Sequence, residues 1–327
     1  MTASAFKTKA GEDAVHGLYR QVLDGWFTPK TELRIPTCEG ETFVVAYGGD
    51  ELPPLVLLHG AQSNAAVWMF DAPAWSKAFR CYAIDMIGEA GFSAPSRPPL
   101  DRDAHARWLD DVMQGLGLQT ASFVGVSLGG WLALDYARRR PGKVERMALL
   151  VPAGIGRQKN FLLKVSPLFL LGPWGARKIR EMVFGPSQGE PPPFLRPFAE
   201  LMAQVGRHIR RRVVNIPRLS DAELERLDMP MLVIVAGKDV LIDSEGTRRR
   251  LAKCTPNAEV VYLPEARHAI FGQSGRVLQF LLSPQGERSG EGVQRPHPQR
   301  KPDRRTKLRG RRGPPPLPLP LKGEGLG

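Results

Sequence analysis

The chain has 327 residues, 42% of them hydrophobic, with 46 Lys and Arg against 33 Asp and Glu and a formal net charge of +13. That length can bury one substantial core, and the absence of any run of about 18 uninterrupted apolar residues argues against a membrane span. The charge does not point to nucleic acid, because residues 284–327 alone hold 11 basic and 4 acidic side chains with no Phe, Trp or Tyr among them to stack on bases.

Three cysteines, Cys38, Cys81 and Cys254, are too few for a disulfide framework and too far apart for a CxxC metal site. Residues 1–9 lack the basic-then-apolar pattern of a secretory signal. The expectation is therefore a cytoplasmic protein with no metal and no organic cofactor.

Apolar side chains repeat at three and four residues over 12–26, which predicts an amphipathic helix in an N-terminal segment, residues 1–30. A hairpin follows, with arms at 34–37 and 42–47 and Gly40 supplying the turn. Leu55-Val56-Leu57-Leu58 is apolar throughout and reads as a strand buried on both faces. Similar runs recur at 81–85, 122–126, 147–151, 231–236 and 259–263, with helical patterns at 104–115, 128–139, 244–253 and 270–282. This alternation predicts a mostly parallel central sheet flanked by helices, an α/β fold spanning 31–283. From about 154 to 229 the strand rhythm stops and amphipathic stretches broken by prolines take over, which predicts a helical cap inserted in the sheet domain. Residues 284–327 are rich in Arg, Gly, Pro and Gln and read as a disordered basic tail. The tail is either a polyproline-type ligand for a protein partner or an extension without a role.

Gly125-Val126-Ser127-Leu128-Gly129 sits where a predicted strand meets a predicted helix, the setting in which a sharp turn lifts a serine hydroxyl above a sheet. A serine hydroxyl is a weak nucleophile near neutrality and needs a base, which in turn needs a carboxylate to orient it. Among six histidines, His268 lies just after the last predicted strand, at the sheet end where parallel folds place their chemistry. His16, His105, His208 and His297 read as packing or surface side chains, and His59 as a positioning residue below its loop. Asp239, in Gly237-Lys238-Asp239 after strand 231–236, is the candidate acid; Asp243 is the rival and also suits a helix N-cap. The amides of Ala61 and Leu128 are the candidate oxyanion donors.

Together, His59-Gly60-Ala61, Asp85 with Gly88 and Gly91-Phe92-Ser93, Gly125–Gly130, Gly237-Lys238-Asp239 and His268 resemble the α/β-hydrolase superfamily over about residues 40–283. The segment from Asp85 to Pro95 is further similar to a bacterial carboxylesterase-like branch. The resemblance implies the α/β-hydrolase fold and a Ser127–His268–Asp239 triad acting on a small ester. Apolar cap residues Phe161, Leu162, Leu168, Phe169, Leu170, Trp174 and Phe184 suggest a moderately hydrophobic substrate. Two alternatives stay open: a C–C bond hydrolase or other acyl hydrolase with the same triad, and a catalytically idle binding protein that recruits a partner through its tail.

Overall fold

In β3 (Pro54–Leu58), Leu55 and Leu57 point into one hydrophobic cluster while Val56 and Leu58 point into another. A strand whose alternate side chains are all apolar can be stable only with both faces covered, and the rest of the fold supplies that cover. The computed structural model describes residues 4–186, 189–212 and 215–284.

Around β3 stand β1 (Lys30–Thr37), β2 (Gly40–Tyr47), β4 (Arg80–Ile84), β5 (Ala121–Val126), β6 (Val144–Leu150), β7 (Met231–Ala236) and β8 (Glu259–Leu263). Their order in the sheet is β1-β2-β4-β3-β5-β6-β7-β8. The β1–β2 and β2–β4 pairings are antiparallel and all others are parallel. The sheet turns antiparallel at β2 because its predecessor is joined by a two-residue hairpin, whereas parallel neighbours need long crossovers. Gly40 closes that hairpin at φ 104°, a left-handed conformation that glycine adopts without a steric cost.

The helices are α1 (Lys9–Asp24), α2 (Ala72–Trp75), α3 (Ala104–Gly115), α4 (Leu128–Arg139), α5 (Phe161–Val165), α6 (Gly172–Phe184), α7 (Arg196–His208), α8 (Asp221–Glu225), α9 (Ser244–Cys254) and α10 (Ser274–Leu282). One sheet face is covered by Trp108 and Leu109 of α3, Leu132 and Tyr136 of α4, Leu224 of α8 and Leu251 of α9. The other packs against Val15 and Tyr19 of α1, Trp75 of α2, Leu201 and Val205 of α7, and Val277 and Leu281 of α10. This is the mostly parallel sheet flanked by helices that the alternating pattern predicts, and the α/β-hydrolase architecture that the resemblance implies, with α5 to α8 inserted between β6 and β7.

Several strands run up to four residues beyond the sequence reading, β1 from Lys30 and β6 from Val144, and two helix starts differ. Helix α1 begins at Lys9 because the Thr8 hydroxyl accepts the Gly11 N–H at 3.1 Å and caps the first turn. Helix α10 begins at Ser274 rather than 270, since Gly272 takes φ 73° and ends any helical run that precedes it. His268 therefore stands on a longer loop. The predicted tail lies outside the described residues apart from Pro284. Among the described residues no helix is long and apolar enough to cross a membrane.

The N-terminal segment is tied to the insertion. Lys7 N–H donates to His208 O and Arg210 N–H to Ala5 O, each at 2.8 Å. On the same side, Tyr19 of α1 donates its hydroxyl to Asp85 Oδ1 at 3.0 Å, and the Ala65 and Phe92 amides donate to the same carboxylate. Asp85 is fully buried, and burial pushes its carboxyl up to about 6 despite these donors. Tyr19→Phe leaves that carboxylate one donor short, and urea unfolding should show a loss of about 1–3 kcal/mol.

Candidate active site

Ser127 is where β5 ends and α4 begins. Its backbone stands at φ 50°, ψ −107°, outside the conformations that a side chain adopts comfortably. The turn is held by Ser127 N–H to Leu150 O at 3.0 Å, Trp131 N–H to Ser127 O at 3.0 Å and Ala153 N–H to Ser127 O at 3.1 Å. The flanking glycines are required by space. A Cβ on Gly125 would come within 2.7 Å of Gly129 O and Gly130 Cα, and one on Gly129 would overlap the carbonyls of Leu58 and His59.

The loop after β8 brings His268 to this serine. His268 Nε2 is 3.0 Å from Ser127 Oγ and Nδ1 is 2.8 Å from Asp239 Oδ2. With Nδ1–H donating to the carboxylate, Nε2 is left to accept the serine proton. The Asp239 side chain is fully buried and that of His268 is 12% exposed. Asp239 Oδ1 accepts the N–H groups of Leu241 and Ile242 at 2.7 and 3.0 Å, so one carboxylate oxygen builds the local turn and the other faces the imidazole. Asp243, the rival acid, caps α9 by accepting Gly246 N–H at 3.0 Å.

The loop carrying His268 is fixed on both sides. Gly237 N–H donates to Leu263 O and Lys238 N–H to Ala266 O. From the far side, Arg267 Nη1 donates to Met182 O at 3.1 Å and Ala269 N–H to Val183 O at 3.3 Å, both on the last turn of α6. Lys159, in the segment leading to α5, donates Nζ to Asp239 O at 2.6 Å. These three contacts escaped the sequence reading, because they join segments 80 or more residues apart and no local period signals them.

Of the two candidate oxyanion donors, Leu128 is the first residue of α4, where the helix dipole favours negative charge. Ala61 follows Gly60, whose Cβ, if it had one, would lie 3.8 Å from Ser127 Cβ; the loop after β3 therefore runs directly beside the serine. Gln62, next in the chain, holds φ 57° and donates its N–H to Glu89 Oε2 at 2.7 Å. Sequence reasoning missed this pairing as well, although Glu89 stands out as a carboxylate in an otherwise apolar or small stretch.

The other histidines are engaged elsewhere. His16 Nε2 is 3.0 Å from Gly91 O and its ring packs against Phe6 and Phe92. His105 is buried against Trp131 with Arg212 nearby, and burial pulls it down to about 3. His208 packs on Gly11 of α1. His297 lies outside the described residues. His59 is fully buried; Nδ1–H donates to Gly60 O at 2.7 Å while Nε2 accepts the Met86 N–H at 3.0 Å, and burial pulls its pKa down to about 4.

A groove of about 570 Å³ bordered by Arg97, Leu100, Asp101 and Arg212 is not lined by the Ser127 cluster. A cavity of about 10 Å³ among Leu128, Trp131 and Arg212 holds at most about one water. Neither is a substrate pocket centred on the serine, so the candidate site rests on the geometry of the three side chains. Among the described residues no group of three or more His, Cys, Asp or Glu side chains could hold a metal ion.

Comparison with known proteins gives a consistent picture. The model of the alpha/beta hydrolase family matches residues 55–280. The carboxylesterase nap of Bacillus subtilis is 29% identical over 276 residues, covering 82% of this chain and 92% of that one. The crystal structure of carboxylesterase CesB (YbfK) from Bacillus subtilis superposes with a TM-score of 0.71 at 27% identity, covering 84% of this chain and 99% of that one. The naproxen esterase of the same organism gives 0.72 at 26% identity, with coverage of 84% and 99%.

The neutral His59 ring gives a pH test of this arrangement. Its folded pKa of about 4 lies below the unfolded value of about 6.5. Its contribution is therefore complete above the unfolded value and is lost as pH falls through about 4. The stability advantage of the wild type over His59→Asn, measured by urea unfolding, should shrink steadily from about pH 7 to about pH 4.

Proposed function

The chain belongs to the alpha/beta hydrolase family, and we propose that it is a serine carboxylesterase that cleaves a small, moderately hydrophobic ester through an acyl-enzyme. The observation that carries this reading is the unbroken path from Asp239 through His268 to Ser127, at 2.8 and 3.0 Å. Similarity to two Bacillus subtilis carboxylesterases over most of the chain supports the substrate class.

In this mechanism Ser127 Oγ bonds to the ester carbonyl carbon while its proton passes to His268 Nε2, and the Asp239 carboxylate stabilises the imidazolium. The amides of Ala61 and Leu128 donate to the oxyanion as it forms. Collapse of the tetrahedral intermediate breaks the ester C–O bond, and His268 returns the proton to the leaving alkoxide. Water then repeats the sequence on the acyl-enzyme and releases the acid and free Ser127. No step calls on a metal or an organic cofactor.

Residues 154–229 act as the cap in this reading. Leu170, Trp174 and Phe184 expose large apolar surfaces there, in keeping with a substrate that carries hydrocarbon. The fine placement of the protein in the cytoplasm rests on free cysteines at 38, 81 and 254 and belongs to the same proposal.

Intact-mass analysis after treatment with a fluorophosphonate tests the nucleophile without knowledge of the substrate. A single adduct is expected on the wild type, none on Ser127→Ala, and slow formation on His268→Ala. With 4-nitrophenyl acetate, Ser127→Ala and Asp239→Asn should each lower kcat by on the order of 10⁴-fold. Retention of most activity by folded Ser127→Ala would overturn the assignment.

A further inference from the structure

Glu89 lies in the loop after β4, and its side chain is wholly withdrawn from solvent. Oε1 has no hydrogen-bond partner among the described residues and stands 3.7 Å from Nη1 of Arg212, itself only 6% exposed. Arg212 comes from the segment between β6 and β7; its Nη2 donates to Pro98 O at 3.1 Å.

Stability alone gives little reason for a buried pair of this geometry. Burial pushes the Glu89 carboxyl up and the Arg212 guanidinium down from their ordinary values, each against its charged form. Two charges taken out of water and left 3.7 Å apart recover less than a close, fully hydrogen-bonded pair would, and apolar side chains of similar volume often serve as well. An apolar side chain could not, however, accept the N–H of Gln62. Gln62 is a non-glycine residue at φ 57°, a conformation that costs free energy unless its surroundings enforce it. The neighbouring backbone is stitched to the same loop, with Ala90 N–H donating to Ser63 O at 3.2 Å and Asn64 Nδ2 to Ala90 O at 2.9 Å.

We infer that Glu89 is a positioning residue for the oxyanion site: its carboxylate holds Gln62 in the left-handed conformation that aims the preceding Ala61 amide at the substrate oxygen, and Arg212 holds the carboxylate in place. The inference rests on the serine-esterase reading above. It makes the insertion between β6 and β7 part of the catalytic geometry, since a side chain from that segment sets the acceptor on which the loop after β3 depends.

The test separates positioning from folding by using two variants. Glu89→Leu combined with Arg212→Met removes both charges and fills the space at the cost of the hydrogen bonds to Gln62 and Pro98, so the variant should fold and its thermal unfolding should stay within about 5 °C of the wild type. With 4-nitrophenyl acetate its kcat should nevertheless fall about 100-fold while KM stays within about threefold, because a misaimed donor weakens the transition state and not ground-state binding. Affinity for a trifluoromethyl ketone, whose adduct with Ser127 carries an oxyanion, should fall by the same factor. Glu89→Gln keeps a carbonyl acceptor for Gln62 and should restore kcat to within about fivefold of the wild type. Wild-type kcat and inhibitor affinity in the folded double variant would overturn the inference, as would a loss that Glu89→Gln shares in full. A wild-type protein that neither turns over the ester nor takes the fluorophosphonate would instead remove the esterase reading, and this inference with it.

Discussion

A serine held at φ 50° and ψ −107° between β5 and α4 is the constraint around which the molecule is arranged. Such a conformation costs about 1–3 kcal/mol and persists only where the surroundings leave no alternative. Here Val124 and Phe123 of β5 anchor opposite faces of the sheet, and ten consecutive residues of α4, Leu128 to Ala137, are buried. The turn between them has no freedom to relax. Close approach of the first turn of α4 then dictates glycine at 125, and the end of β3 dictates it at 129, since any Cβ there meets backbone and not a side chain that could move aside. A second departure follows next door: Val151, a β-branched residue, takes φ 44° directly after β6 and donates its N–H to Ile234 O.

The partners of the serine come from the ends of other parallel strands, which a parallel sheet brings to one edge. Asp239 follows β7 and His268 follows β8, and the two loops are bonded to each other through Gly237 to Leu263 and Lys238 to Ala266. They cannot drift apart without breaking backbone hydrogen bonds. The insertion between β6 and β7 then holds the assembly from above the sequence distance: Lys159 reaches Asp239, and the last turn of α6 accepts from Arg267 and Ala269 on either side of His268. Movement of α6 would therefore be felt at His268 through both of its chain neighbours.

Much of this was legible in the sequence. Strands with both faces buried announce themselves as unbroken apolar runs, and β7 begins and ends where its run does; β8, a half-exposed edge strand that opens on Glu259, also keeps the expected bounds of 259–263. The proximity of Ser127, Asp239 and His268 was expected from the Gly125–Gly129 turn, the chain order and the placement of all three at strand ends, which a parallel fold gathers. Strand-end position favoured Asp239 over Asp243, whose place suits a helix N-cap; in the structure Asp239 faces His268 and Asp243 caps α9. The start of α10 was missed because helical periodicity continues through 270–273 while Gly272 turns left-handed. Glu89, Gln62 and Arg212 were invisible as a group: no spacing rule links a residue at 62 with ones at 89 and 212, and only the folded chain brings them together.

In the proposed mechanism, environment and not residue type separates His268, the base, from His59. Both follow apolar strands at the same edge of the sheet. His59 has each ring nitrogen occupied by backbone, Gly60 O on Nδ1 and Met86 N–H on Nε2, and its burial is complete. A proton arriving at Nε2 would have to displace an N–H donor, and burial, which disfavours the charged ring, draws its pKa down to about 4. His268 keeps a carboxylate on Nδ1 and a hydroxyl on Nε2. The hydroxyl is itself a proton donor, and the charge that appears on the ring when that proton moves is met by Asp239 at 2.8 Å. Of two histidines that the strand pattern treats alike, only His268 can take a proton without losing a bond, so the one that is less buried is the one suited to chemistry.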